Sequence, residues 1–224
     1  MRAVVRILAW TYLAGRFQVV GLEGVPRTGA LLICANHAST IDPPLIPAFL
    51  PRSDTWSLAK SEYFAASAGW RWLMRSYHAF PIVRHSADRG ALGLAQRLLA
   101  RGEALVVYPE GTRVESGGLM RAEPGAGFLA RRSGALILPV ALLGTRESMP
   151  KGARLPRRRR VEIRFGTAFK IAPQRPDGRR VGNQEAADAI MVQVARLLPP
   201  EMRGAYAEAQ VWAARLEGIT EAAR

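Results

Sequence analysis

Cysteine is almost absent from these 224 residues: Cys34 stands alone, so no disulfide can form within the chain. A reducing compartment is the simplest setting for such a protein. Histidine is scarce too, at positions 37, 78 and 85 only, and no Cys-x-x-Cys or His-Glu-x-x-His spacing offers zinc a ligand set. No metal and no cofactor is expected. Lysine occurs only at 60, 151 and 170, although basic residues number 32 against 18 acidic ones. Arginine therefore carries nearly all of the +14 formal charge. Long apolar runs are missing as well. No stretch of about 18 uncharged apolar residues occurs, which argues against a transmembrane helix.

What is present suits one domain with small terminal additions, because 49% hydrophobic residues over this length supply a core without crosslinks. The positive field attracts nucleic acid, an anionic membrane leaflet or phosphorylated substrates, and charge alone does not choose among them. From Ala3 to Ala14 only Arg6 and Thr11 interrupt an apolar run, with Arg2 before it and Arg16 after. It lacks the small-residue cleavage site of a signal peptide. The expectation is an apolar helix lying on a membrane, with its arginines among headgroups and Trp10 and Tyr12 at the interface. An ordinary packing helix is the alternative.

Hydrophobic periodicity then alternates between strand and helix. Strands are expected at 30–35, 79–83, 103–108, 135–142 and 161–165. Helices are expected from Asp42 to about Leu50, over 87–101 with Gly102 as terminator, over 125–132, and from an Asn183 cap to Leu198. Proline, glycine and charge make 170–182 a loop, and 201–220 reads as a last helix. This order predicts an α/β layered domain with a mostly parallel central sheet flanked by helices, plus an apolar N-terminal helix and C-terminal helices. The expected division is 1–18, a membrane-associating helix; 19–182, the main domain; and 183–224, C-terminal helices belonging or appended to it.

Three segments end apolar strands with chemistry-bearing residues. Asn36-His37-Ala38-Ser39-Thr40-Ile41-Asp42 sets a histidine at a strand end and an aspartate at a helix start. Imidazole takes protons from alcohols near neutral pH, and a carboxylate on its other nitrogen fixes the tautomer. Alone, that spacing is equally met by a loop histidine and a capping aspartate. Tyr108-Pro109-Glu110-Gly111-Thr112-Arg113 puts a guanidinium fork and a close-approach glycine at another strand end, where α/β proteins bind ligands. Phe80-Pro81-Ile82-Val83-Arg84 offers a second arginine. Other motifs are weaker. Gly125–Ala130 spells G-x-G-x-x-A without a strand before it, and Ala65–Gly69 lacks the first glycine of a nucleophile elbow.

Taken in order with Leu138-Pro139-Val140, these blocks resemble those of the glycerolipid acyltransferase family, which includes 1-acyl-sn-glycerol-3-phosphate acyltransferases. The similarity runs from about Val19 to Gly166 and includes the Gly144-Thr145 turn. The resemblance implies that His37 is the general base and Asp42 its orienting partner. It implies that Arg84, Glu110, Gly111, Thr112 and Arg113 hold the glycerol-phosphate head and that Pro139 shapes a substrate pocket. The implied donor is acyl-CoA or acyl carrier protein, the acceptor a lysophospholipid, and the product phosphatidic acid. The expected setting is peripheral or monotopic, on the anionic cytoplasmic face of the cell membrane, with no nucleic acid as partner. Relatives carrying glycerol 3-phosphate, lyso-ornithine lipid or glycolipid acceptors share the same blocks. A non-catalytic basic protein binding membranes or nucleic acid explains the charge but not the ordered blocks. One departure stands out: relatives often have lysine shortly before the glycine that opens the next helix. Here Glu123-Pro124 precede Gly125, and Arg121 is the nearest substitute.

Overall fold

The computed structural model describes residues 1–82, 89–114, 117–153 and 155–222. Helix α1 (Arg2–Tyr12) precedes strand β1 (Phe17–Val20). Strand β2 (Leu31–Ala35) feeds α2 (Asp42–Phe49), and β3 (Thr55–Lys60) feeds α3 (Ser61–Ala66) and α4 (Ala68–Ser76). Then come β4 (Ala79–Ile82), α5 (Arg89–Ala100), β5 (Ala104–Val107), α6 (Pro124–Ser133) and β6 (Leu136–Leu143). The chain continues through α7 (Thr145–Ser148), β7 (Val161–Phe165), β8 (Phe169–Ile171), α8 (Asn183–Leu197), α9 (Ala209–Arg215) and β9 (Thr220–Ala222).

The sheet order is β1-β7-β6-β2-β5-β3-β4. Five of its neighbour pairs are parallel, and only β6 against β7 runs antiparallel along this path. Strand β8 pairs antiparallel with β6 and β9. The expected α/β layers with a mostly parallel sheet are therefore present. Strand β2 sits at the centre, buried at every residue, because both its faces are covered. Its alternation divides two cores. Leu31, Ile33 and Ala35 pack with Leu45, Ile46 and Phe49 of α2, while Leu32 and Cys34 pack with Leu98 of α5 and Leu129 of α6. Pro81 lies in edge strand β4, where a missing N–H is tolerated.

That division of layers creates the crevice. Neighbouring parallel strands β2 and β5 lead to α2 on one face and α6 on the other, so their carboxyl ends part at a topological switch point. Helix α8 closes onto α6 so tightly that a Cβ on Gly127 would lie 1.9 Å from the Asn183 carbonyl oxygen.

Three expectations need correcting. Residues 201–220 are not one helix. They form 3-10 turns at Pro200–Met202 and Gly204–Tyr206, the short α9, and the start of β9, because apolar residues there are too few to sustain one buried stripe. The expected loop 170–182 begins inside β8 and bridges itself between Gln174 and Arg180. Helix α1 forms as expected, yet its arginines turn inward. Arg6 bonds the Ala48 carbonyl at 3.0 and 2.6 Å, because the last carbonyls of α2 lack partners within their own helix, and Arg2 bonds the Arg52 carbonyl just beyond that helix. Ala9 and Leu13 are buried, whereas Val4, Ile7 and Leu8 are exposed. No described helix is long and apolar enough to cross a membrane.

Candidate active site

The register of the central strands brings the first and third blocks together. Cys34 pairs with Val107, and three residues beyond each stand His37 and Glu110. The end of β2 is fixed by Asn36, whose amide donates to the Leu142 carbonyl at 2.9 Å and accepts from the Leu142 N–H at 2.8 Å. A side chain thereby substitutes for two ladder bonds just where β2 stops being a strand. The Val114 N–H, bonded to the His37 carbonyl at 2.8 Å, ties the third block to the same place.

His37 Nδ1 lies 2.9 Å from Asp42 Oδ2, and both side chains are buried. The same oxygen accepts the N–H groups of Ala38 at 2.8 Å and Ser39 at 2.7 Å. Asp42 is the first residue of α2, with Ile41 as the cap, and turns its carboxylate back onto the preceding loop. A carboxylate only accepts, so Nδ1 carries the imidazole proton and Nε2 keeps its lone pair. The Tyr108 ring stacks on the imidazole with centroids 4.2 Å apart and planes at 25°. Burial, with the nearby Asp42 charge, pushes the Tyr108 hydroxyl well above its ordinary pKa, so the ring stays neutral.

Glu110 is 3% exposed and shares a pocket with His37, Asn36, Leu119, Thr145 and Arg146. Neither carboxyl oxygen makes a hydrogen bond of ordinary geometry among the described residues. Burial dominates and pushes its pKa up to about 8. The N–H groups of His37 and Met120 favour the charged form without reversing this, and the Asp42 charge adds to the rise. Gly111 adopts φ +69°, which glycine takes without strain, and so turns the chain sharply beside Glu110.

Arg113 is half-buried and lines an adjoining pocket, not the one holding His37. Thr112 is half-buried on the turn and lines neither pocket. Arg84, the remaining residue of the expected head-binding set, lies outside the described residues. Pro139 also lines neither pocket. It sits within β6 opposite Cys34, and its carbonyl accepts the Gly166 N–H in the gap between β7 and β8, where its own missing N–H costs nothing. Arg121 does not replace the absent lysine. Its guanidinium pairs with Asp188 of α8 at 3.2 Å.

Sequence reasoning missed several residues of the site. Tyr108 and Asn36 stood inside recognised blocks but carried no assigned role. Arg146 and Glu147 follow the Gly144-Thr145 turn directly, and that turn was the available signal. Leu198 and Met202 complete the apolar wall from the far end of the chain. Nothing in their local sequence marks them.

A buried imidazole–carboxylate pair at the switch point of a mostly parallel sheet places the chain among α/β proteins that bind ligands between diverging strands. Residues 16–143 match the family model described as Acyltransferase, and the chain belongs to that family. It is similar to a 1-acyl-sn-glycerol-3-phosphate acyltransferase of Chlamydomonas reinhardtii, 26% identical over 85% of this chain and 55% of that protein. A probable enzyme of the same description from Mycoplasma genitalium is 30% identical over 65% of this chain and 56% of its own length. The chain thus spans about half the length of these relatives. Among solved structures it resembles the 1-acyl-sn-glycerophosphate acyltransferase PlsC of Thermotoga maritima. The TM-score is 0.63 and the identity 29%, over 72% of this chain and 64% of that one.

Proposed function

We propose that this protein transfers a fatty acyl group from acyl-CoA or acyl carrier protein to the free hydroxyl of 1-acyl-sn-glycerol 3-phosphate, giving phosphatidic acid. The observation that carries the reading is the 2.9 Å contact between His37 and the buried Asp42, in a pocket shared with Glu110. His37 Nε2 takes the proton of the acceptor hydroxyl as its oxygen attacks the thioester carbonyl. Asp42 stabilises the imidazolium that forms. The C–S bond then breaks, and the thiol leaves with the proton held by His37. No acyl-enzyme is needed, and the only cysteine, Cys34, is fully buried with its thiol pKa pushed far up by burial. Glu110, protonated over much of the neutral range, donates to or accepts from an acceptor hydroxyl. Gly111, Thr112, Arg113 and Arg84 serve the glycerol-phosphate head.

The membrane-facing part is α1, whose Val4, Ile7 and Leu8 stand exposed. The exposed run Arg157–Arg160 lies close by, since the Tyr12 hydroxyl bonds the Pro156 carbonyl at 2.5 Å. Each arginine near an anionic surface contributes about 1 kcal/mol. These features support a peripheral position on an anionic cytoplasmic leaflet, near the lipid acceptor.

A different acceptor within the same family is favoured by one observation: Arg121, the nearest substitute for the lysine that the family resemblance implies before Gly125, is engaged with Asp188. Thiol release with mixed acyl donors and lysophosphatidate, glycerol 3-phosphate or a lyso-ornithine lipid, followed by lipid mass spectrometry, decides between acceptors. Phosphatidic acid from wild type and none from His37→Ala is the expected result. Near-normal turnover by a folded His37→Ala protein would overturn the mechanism.

A further inference from the structure

One side chain fixes the ends of two central strands. Strands β2 and β6 run parallel as neighbours, and the Asn36 amide grips both the carbonyl and the N–H of Leu142. His37 follows Asn36 directly, and Thr145 stands three residues beyond Leu142. The clamp therefore sets the imidazole and Thr145 on adjoining strand ends, and both line one pocket. Gly144 governs the step between. Its φ of +73° turns the chain out of β6, and a Cβ there would lie 1.8 Å from the Arg160 carbonyl oxygen. Only glycine fits where this turn presses on the chain before β7. The Thr145 carbonyl accepts the Met149 N–H at 2.8 Å, which holds the residue from its other side.

Thr145 is 1% exposed, and its hydroxyl has no hydrogen-bond partner among the described residues. A hydroxyl shut in without a partner destabilises a fold, so its presence needs a reason outside folding. The other polar side chains lining the pocket have roles or partners. Asn36 is engaged with Leu142, His37 Nδ1 with Asp42, and Arg146 with Glu147. Glu110 serves the acceptor hydroxyl in the reading above. Thr145 is left.

Acyl transfer needs what this hydroxyl offers. When the acceptor oxygen attacks the thioester carbonyl carbon, the electron pair of the C=O π bond moves onto the carbonyl oxygen. That oxygen is an anion until the C–S bond breaks, and a donor already in place stabilises it. A threonine hydroxyl rotates its hydrogen to meet such an acceptor.

We infer that Thr145 is a catalytic residue whose hydroxyl donates a hydrogen bond to the thioester carbonyl oxygen as it becomes an oxyanion, while His37 takes the proton of the attacking hydroxyl. The inference rests on the acyl-transfer reading and adds the donor which that reading leaves unassigned. As the C–S bond breaks, the electron pair returns to re-form the C=O bond and the departing thiolate takes the proton from the imidazolium. Thr145 keeps its own hydrogen throughout.

Thr145→Val exchanges the hydroxyl for a methyl group of similar size; Thr145→Ser keeps the hydroxyl. Both are compared with wild type as full chains, in thermal unfolding and in steady-state thiol release. The donor is acyl-CoA, and the acceptor is 1-acyl-sn-glycerol 3-phosphate or glycerol 3-phosphate. Thr145→Val should lose on the order of 10²-fold in kcat, with KM within about threefold of wild type. Its pH profile should keep the wild-type shape, because the group removed does not titrate in this range and the His37–Asp42 pair is untouched. It should melt no lower than wild type, because the orphaned hydroxyl is gone. Thr145→Ser should recover kcat to within about tenfold of wild type. Wild-type kcat in Thr145→Val, or a rise in its KM alone, overturns the inference. So does a melting temperature that falls with kcat, a shifted pH profile, or a Thr145→Ser protein as slow as Thr145→Val. A wild type inactive with every pair overturns the acyl-transfer reading, and this inference with it.

Discussion

Asn36 holds Leu142 by both polar atoms of its amide, donating to the carbonyl at 2.9 Å and accepting from the N–H at 2.8 Å. The contact locks the exit of β2 against β6, one residue before the imidazole. Replacing Asn36 by Leu orphans two buried backbone groups, each costing about 1–3 kcal/mol. A loss of roughly 2–5 kcal/mol in urea unfolding is expected. Transfer should fall further than unfolding accounts for, because His37 loses its fixed starting point. Unchanged stability would show that Asn36 is not the clamp.

Asp42 does two tasks with one oxygen, and two substitutions separate them. Asp42→Asn keeps a side-chain oxygen for the Ala38 and Ser39 N–H groups but removes the negative charge facing Nδ1. It should retain most stability and lose on the order of 10²-fold or more in kcat, the scale of general-base assistance. Asp42→Ala should also lower the melting temperature, since both N–H groups lose their acceptor. Equal melting temperatures for the two variants would contradict this division.

Glu110 makes stability depend on pH. Its carboxyl pKa lies near 8 in the folded protein against an ordinary value of 4.5, so the folded state binds the extra proton between those limits. Stability is therefore highest below about pH 5, falls as pH rises toward 8, and then levels, with a change of a few kcal/mol from this group. Glu110→Gln should flatten that slope and unfold later than wild type at pH 8, while transfer drops. Chemical unfolding at pH 5, 6.5 and 8 checks the sign. A wild type that gains stability over this range through Glu110, with the variant losing the gain, would contradict it.

Tyr206 links the far end of the chain to the pocket. Its hydroxyl donates to Asp188 at 2.8 Å and accepts the Ala122 N–H at 2.9 Å, and the Leu119 N–H bonds the Met202 carbonyl at 3.0 Å. Tyr206→Phe leaves a buried N–H and a carboxylate oxygen less satisfied, at a cost of about 1–3 kcal/mol. The 119–122 loop should exchange its amide hydrogens faster in the variant. Exchange unchanged at 119–122 would leave Tyr206 with a packing role alone.

Gly127 is a packing position remote from the chemistry. A methyl group there meets the Asn183 carbonyl oxygen at 1.9 Å and the Ala187 nitrogen at 2.7 Å, both backbone. Gly127→Ala must push α6 and α8 apart, and a destabilisation of about 2–4 kcal/mol is expected by thermal unfolding. Its effect on transfer should follow from stability alone.

Much of the fold was legible because it rests on local patterns. The apolar runs at 31–35, 104–107 and 136–143 had only one way to be buried, as strands covered on both faces. The strands β1, β3, β8 and β9 were not legible. Strands β1, β8 and β9 have only three or four residues each, and β3, though six residues long and paired on both sides, mixes polar residues with apolar ones, so pairing rather than composition makes them strands.

The sequence by itself determined that a histidine and an aspartate flank a short loop between a strand and a helix, because five residues of chain can close only so far. It also determined which side chains bear charge at the strand ends. Only the tertiary structure decided that β2 and β5 are neighbours whose helices leave by opposite faces, which sets Glu110 beside His37 and buries it enough to hold its proton. It alone decided that Arg113 faces a separate basin, that Arg121 is spent on Asp188, and that Leu198 and Met202 return to line the pocket. Strand order and long-range packing arise from the sum of many weak contacts between distant residues, and no local spacing encodes that sum.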